Sequence, residues 1–354
     1  KQLNVQALPS DELLKMVRLK MQFEANPASV NLTNLHLSID DNQLQLPKLQ
    51  VNLQEQTLNA NALSLQLFGM KLDGQVTVKQ FNQPSVKGQL ALAPFNPREV
   101  IKRLERTQLL PTLSLPDPAL LPLKTAALET QFQIRETTEV NLKGFHVRVD
   151  DNYLTMPQLQ VNLKTQTLKA NTLSLQLLGM KLDGQVTVNQ FQKPSVTGQL
   201  ALAPFNLREL IKHLEQAQLL PPQPLPDEQL LPLTTAALET QFQIRKSTDV
   251  NLNGLNLRLD DNRLTIPRLR VNLERDTLNL PAFSLKALGI KLDGNIQATQ
   301  LRSHLNAQAQ LAIAPFNPKT VLERLGQPVP ETADPTPLNR LALHTHLPGR
   351  LSQL

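Results

Sequence analysis

The chain repeats itself, and the length of the repeat limits what it can fold into. The string Leu63 to Phe81, LSLQLFGMKLDGQVTVKQF, returns as LSLQLLGMKLDGQVTVNQF from Leu173 to Phe191 and, more divergently, as FSLKALGIKLDGNIQATQL from Phe283 to Leu301. The turn Asp40-Asp41-Asn42 recurs as Asp150-Asp151-Asn152 and Asp260-Asp261-Asn262, and the QLALAPFN segment at Gln89 recurs at Gln199 and, as QLAIAPFN, at Gln310. The period is about 110 residues, well beyond the roughly 20 to 50 of common solenoid units, so each copy must hold many secondary-structure elements.

Most of those elements read as strands. Leu63, Leu65 and Leu67 alternate with Ser64 and Gln66. Met70, Leu72, Val76 and Val78 alternate with Lys71, Asp73, Gln75 and Thr77, and Leu90 and Leu92 follow the same rule. A period of two gives each strand one apolar and one wet face. The phase slips at two fixed places per copy. One lies between Leu32 and Leu35, between Leu142 and Phe145 and between Leu252 and Leu255; the other lies at Phe68-Gly69, Leu178-Gly179 and Leu288-Gly289. A slip of one residue would turn the apolar set to the other face, so each must be absorbed by a bulge or a turn, and repeated bulges predict a sheet that bends in one sense.

One interval per copy is predicted to be helical. Asn96-Pro97-Arg98-Glu99 supplies an N-cap, a proline for the first turn and a glutamate at the capping-box position, with Val100, Ile101 and Leu104 behind it on one face. Asn206 and Asn317 begin equivalent segments, and Gly326 suits a C-terminal cap. Proline-rich links follow (Pro111 to Pro122, Pro221 to Pro232, Pro328 to Pro337), which belong at a rim rather than inside a sheet. Roughly six or seven strands per copy remain. The expected organisation is residues 1–110, 111–220 and 221–330 as three repeats and 331–354 as the start of a truncated fourth.

Composition narrows the functions. The 354 residues are 40% hydrophobic but only 3% aromatic, with no Trp, a single Tyr and no Cys, so the interior is aliphatic and neither disulfides nor thiolate sites are available. The net charge of +6 is spread thinly and lacks the stacking aromatics of a nucleic-acid surface, so no nucleic acid is expected as partner. No Ser/His/Asp grouping, phosphate loop or carboxylate pair points to catalysis, and no cofactor is implied. The Asp-Asp-Asn turns lack the spaced acids of a calcium loop. His344 and His346 share a strand face without a third ligand, and His36 and His146 give way to Asn256 in the third copy, so no metal site is expected.

Lys71 to Leu104, with its copy Lys181 to Leu214, resembles the repeated β-rich part of the AsmA family. The third copy is the closer likeness, from Ala312 to Leu341, with its Pro-Phe-Asn entry, the helix ending in Leu-Gly, then Thr332-Ala333-Asp334-Pro335 and Leu338. The first two copies depart from that link with LPDP at Leu115 and LPDE at Leu225. The resemblance covers nearly the whole chain. It implies a mostly β fold: an elongated, curved antiparallel sheet, or β-groove, of tandem repeats with one short helix each at the rim. It further implies a periplasmic protein held in the inner membrane by a segment outside this chain, moving phospholipid between inner and outer membranes in the manner of bridge-like lipid-transfer proteins and supporting outer-membrane integrity.

The expected groove lining is Leu63, Leu65, Leu67, Met70, Leu72, Val76, Val78, Leu90 and Leu92, then Leu173, Leu175, Leu177, Met180, Leu182, Val186, Val188, Leu200 and Leu202. Alternation by itself fits a closed β-sandwich equally well; the resemblance is what favours an open groove. The competing function is a non-catalytic envelope scaffold that binds a protein partner, for instance by strand addition.

Overall fold

The computed structural model describes residues 17–350 except 114, 116–117, 119–121, 217–218, 223, 226–227, 229–230, 303–304 and 330–339. Thr332 to Pro335 and Leu338 therefore lie outside the described residues, as do parts of the two shorter links. The fold is mostly β, with nineteen antiparallel strands and three short helices.

Two units divide the chain. The first, Lys1–Lys164, holds β1 (Val17–Asn26), β2 (Ser29–Ile39), β3 (Asn42–Asn52), β4 (Thr57–Leu67), β5 (Met70–Lys79), β6 (Ser85–Phe95), α1 (Pro97–Arg106), β7 (Ala126–Arg135), β8 (Glu139–Val149) and β9 (Asn152–Asn162). The second, Thr165–Leu354, holds β10 (Thr167–Leu177), β11 (Met180–Asn189), β12 (Ser195–Phe205), α2 (Leu207–Gln216), β13 (Ala236–Arg245), β14 (Asp249–Leu259), β15 (Asn262–Asn272), β16 (Thr277–Ala287), β17 (Ile290–Thr299), β18 (Asn306–Phe316), α3 (Pro318–Arg324) and β19 (Leu341–Arg350). Each unit is an open antiparallel meander in which every strand pairs with its neighbour in sequence. The period of about 110 residues corresponds to six strands and one helix, since β2, β8 and β14 begin at Ser29, Glu139 and Asp249.

Both phase slips have structural explanations, and they differ. Phe68-Gly69, Leu178-Gly179 and Leu288-Gly289 are two-residue hairpin turns with both φ values positive, between 51° and 88°. Turns of this hand match the twist of the strands they join, and glycine at the second position takes the left-handed conformation without a Cβ penalty. The other slip is a bulge: Asn34, Gly144 and Gly254 have φ of 53°, 59° and 63°, and the register of β1 with β2 shifts there, between Lys20 and Gln22. In β3 the same level is occupied by Pro47, which is skipped in the ladder opposite Asn34, and in β4 by a second register shift between Ala60 and Leu63. Three adjacent strands thus slip together, so their apolar side chains stay on one face above and below the crease. Leu46 in the first unit and Ala170, Ile266 and Leu280 in the second are among the few buried residues, and each stands beside this break in its own strand.

Each helix sits at a rim of its own unit. Asn96 and Asn206 accept from the backbone N–H of Glu99 and Glu209 at 3.2 and 3.1 Å, and Asn317 from Lys319 at 2.9 Å, while Gly326 follows α3 with φ of 64°. Arg98 Nε donates to the Pro122 carbonyl at 2.8 Å and Arg208 Nε to Pro232 at 2.9 Å, tying each helix to the link behind it. Val100 and Leu233 are buried beneath this arrangement.

The Asp-Asp-Asn turns fasten that rim to the sheet. The Asp150 carboxylate accepts from the backbone N–H groups of Leu123, Lys124 and Thr125 at 2.7, 2.9 and 2.9 Å, and Asp260 accepts from Leu233, Thr234 and Thr235 at 2.8, 3.0 and 2.9 Å. Asn42 and Asn262 in turn accept from Phe68 and Leu288 in the next hairpin, at 2.9 and 3.0 Å. Partial burial works against the Asp150 and Asp260 charges, yet the converging N–H donors hold both carboxyls below the ordinary carboxylate value. A depressed folded-state pKa gives stability that is present above the unfolded value near 4 and lost as pH falls through the lower folded value. The expected result is that Asp150→Ala costs about 1 to 2 kcal/mol at neutral pH. A combined Asp150→Asn, Asp260→Asn variant should show a flatter dependence of thermal midpoint on pH between 5 and 3 than the parent, which scanning calorimetry across that window will measure.

Candidate functional site

The register sorts the alternating aliphatics into two rows that run across the strands. In the first unit one row passes through Leu19, Leu37, Leu44, Leu65, Leu72, Leu92, Leu128, Val147 and Leu154, each directly opposite the next. The second passes through Val30, Val51, Leu58, Val78, Val86, Ile134, Val140 and Val161. The second unit repeats the pattern, as Leu175, Leu182, Leu202, Leu238, Leu257, Leu264, Leu285, Leu292, Ile313 and Leu343, and as Leu168, Val188, Val196, Ile244, Val250, Val271, Leu278 and Ala298. The first row takes a residue from every strand of its unit and the second runs unbroken through β2 to β9 and through β10 to β17, with no polar interruption over those strands.

Between the rows, near mid-strand, the side chains become small. Gly74 lies opposite Leu90 and Gly88 opposite Phe132, and a Cβ added at either glycine would press on backbone and side chain of the neighbouring strand. Such crowding on the apolar side is what a sheet bending toward that side produces. On the opposite, polar face at this level a cavity of about 800 Å³ crosses β4 to β8, with Asp73, Gln75, Gln89, Glu129, Gln131 and Lys143 among its lining, and one of about 630 Å³ with Asp293, Asn295, Gln310 and His344 lies at the equivalent level of β17 to β19.

The apolar face is not sealed. Of the eighteen residues expected to line a groove, none is fully buried: Leu63, Leu65, Met70, Leu72, Val76, Val78, Leu90, Leu92 and their nine counterparts in the second copy are half-buried, and Leu67 is 37% exposed. Among the described residues the extensive backbone approaches are those between hydrogen-bonded strand neighbours. The register brings Leu65, Leu72 and Leu92 together in one row and Val78 into the other, with Val76 one step inward of it; between the rows Leu63 and Leu90 stand on either side of Gly74. Leu67 pairs with Met70 at the turn end, nearer α1. The second-copy residues take equivalent places.

Sequence reasoning named only the strands with the most conspicuous alternation. It left out Leu37, Leu44, Val51 and Leu58, and the whole third copy. The signal was present in the Val30 to Leu58 stretch but was broken by Pro47, which reads as a strand breaker unless the crease is known.

The opposite face is wet and charged. Ser64 Oγ donates to Asp73 at 2.7 Å and Lys71 Nζ pairs with Asp73 at 3.0 Å, an arrangement repeated at Ser174, Asp183 and Lys181 with 2.6 and 3.1 Å. Lys291 and Asp293 form the third ion pair at 2.9 Å. The Ser64 hydroxyl first, and then Lys71, keep the Asp73 carboxyl below its ordinary value. These pairs are solvent-exposed and add little stability; they mark which side faces water. His146 Nδ1 lies 2.9 Å from Thr155 Oγ1, and in the third copy Thr265 Oγ1 donates to Asn256 at 3.3 Å, so the histidine position is one half of a cross-strand polar pair. No group of three potential metal ligands occurs among the described residues.

By fold and site the chain is a tandem-repeat antiparallel β-sheet protein with an unsealed aliphatic face and a short helix per repeat at a rim. No protein-family model, no curated protein and no solved structure matches it.

Proposed function

We propose that the chain carries lipid: acyl chains lie in the trough between the two aliphatic rows and move along it, while polar head groups stay in water. The observation that carries this reading is the continuity of one row through every strand of a unit, and of the other through eight successive strands, on a face that remains half-exposed. A closed sandwich would bury such a face. Each methylene laid against the rows gains about 0.8 kcal/mol relative to water. Leu, Val and Met offer no directional bond, so a tail gains similar energy at successive strands and meets no deep trap. Repetition then extends the path without altering its chemistry.

The resemblance to the AsmA family points the same way. That resemblance implies a periplasmic chain held to the inner membrane by a segment outside this sequence, with phospholipid moving between inner and outer membranes. No chemical step is required of any residue. The experiment is lipid extraction and native mass spectrometry of the chain purified from bacterial cells. Phospholipid bound at one or more molecules per chain is the expected result; a lipid-free chain that also fails to take up phospholipid from vesicles would refute the proposal.

A second reading, a scaffold for a protein partner, draws on one observation. β1 is exposed along its whole length, with Leu19 at 57% and Phe23 at 66%, a surface suited to strand addition by another polypeptide. Stoichiometric retention of a protein in the same mass spectra, without lipid, is the outcome that reading expects.

A further inference from the structure

At the rim of the third repeat two cavities of opposite character share a wall. The first, about 450 Å³, is lined almost wholly by aliphatic side chains: Leu257 and Leu259 of β14, Leu264 of β15, Leu285 of β16, Leu231 of the link and Leu325 after α3. The second, about 1040 Å³, opens toward solvent and is lined by Asp261, Lys286, Glu323 and Arg324 together with Asp260. Leu231, Asn262, Ala287, Leu288 and Leu325 belong to both, so the two cavities adjoin. The charges of the second are mixed. Asp260 is engaged with the link backbone, which leaves the carboxylates of Asp261 and Glu323 beside the cations of Lys286 and Arg324. Among the described residues none of these four side chains forms an ion pair.

We infer that this rim is a resting site for one amphiphile, its alkyl tail in the leucine cavity and a zwitterionic head, phosphate plus ammonium, in the charged one. Two observations select that chemistry. The apolar cavity has the size of a small-ligand site and adjoins, across Asn262 and four aliphatic residues, a cavity lined by charged side chains, which suits a tail that ends in a polar group. The charged cavity offers cations to a phosphate and carboxylates to an ammonium, whereas a purely anionic or cationic head would leave charges of its own sign facing it. The Arg324 guanidinium lies beside the Gly289 turn, 3.4 Å from the position a glycine Cβ would take. Leu264 and Leu285 stand in the aliphatic row, so the site opens onto the trough. The inference thus rests on the lipid-carrying reading for its biological sense but not for its test.

The experiment titrates the full chain with three probes that share a dodecyl tail, each below its micelle concentration: dodecylphosphocholine, dodecyl phosphate and dodecyltrimethylammonium, followed by isothermal calorimetry. One dodecylphosphocholine per chain is expected, bound about tenfold more tightly than either singly charged probe. Ala287→Phe, which fills the cavity while leaving it apolar, should weaken that binding about tenfold, as should a combined Lys286→Gln, Arg324→Gln variant, whose circular dichroism reports on folding. Equal affinity for the three heads, or binding unchanged by Ala287→Phe in a folded chain, would overturn the inference. Phospholipid co-purification with the Ala287→Phe chain separates the two proposals. Lipid retained with dodecylphosphocholine binding lost supports both. Dodecylphosphocholine binding by a parent chain that never loads phospholipid leaves the rim site and removes the transport reading.

Discussion

Replacing Leu72 with Asp, together with Leu182→Asp in the second copy, is expected to abolish lipid loading while leaving the sheet folded. Leu72 lies directly between Leu65 and Leu92 in one aliphatic row, and Leu182 between Leu175 and Leu202. A carboxylate at that point would have to lose water whenever a tail passed it, a cost of several kcal/mol set against the roughly 0.8 kcal/mol gained per methylene. Loaded lipid should fall at least about tenfold. Both leucines are half-exposed, so the charge can stay hydrated in the empty protein, and the thermal midpoint should move by less than about 3 °C. Gln75→Asp, at an exposed position on the wet face of the same strand, is the control and should change neither quantity. The readouts are phospholipid per chain by extraction and the unfolding transition by circular dichroism. Loss of lipid and of cooperative unfolding together would mean that the rows are an ordinary core.

The largest effect on stability is expected at Gly88. A Cβ there would overlap the Gln75 carbonyl oxygen and lie 2.6 Å from the Phe132 ring, and Gly198 has the same surroundings in Gln185 and Phe242. The carbonyl belongs to the neighbouring strand and cannot retreat without disturbing the ladder. Gly88→Ala should therefore destabilise by about 2 to 3 kcal/mol. Gly144→Ala provides the contrast: its φ is 59° but nothing lies within 4 Å of the added carbon, so only the left-handed backbone is penalised, by about 1 to 2 kcal/mol. Denaturant unfolding of the two variants separates steric crowding from backbone strain. Equal losses would show that the sheet relaxes around the new methyl group and that the close approach at Gly88 is not a constraint.

Much of the architecture could be read from the residues. The Asn-Pro-Arg-Glu entry at Asn96 announced α1 and its cap, and the alternation through Leu63 to Val78 announced β4 and β5 and the side on which they are apolar. The slips at Phe68-Gly69 and at Asn34 were visible as phase changes, but not which of them was a turn and which a bulge, because both break a period of two in the same way. The role of Asp150 was hidden, since the three N–H groups it binds come from a link 25 to 27 residues earlier in the chain. The place of Pro47 was likewise hidden: a proline inside a strand is disfavoured unless the residue opposite has given up its own place in the ladder, as Asn34 has.

The sequence by itself determined the repeat, the elements within it and the apolar identity of one face, because all three depend on residues close together in the chain. Tertiary structure decided which residues become neighbours on that face. Register is set jointly by turns, bulges and the strand on either side, so only the assembled ladder could align Leu37 with Leu44, Leu65, Leu72 and Leu92 into a continuous row. Only the fold, likewise, could bring Leu231 and Leu325 over Leu257 and Leu264 to make a cavity, since none of these pairs is close in sequence.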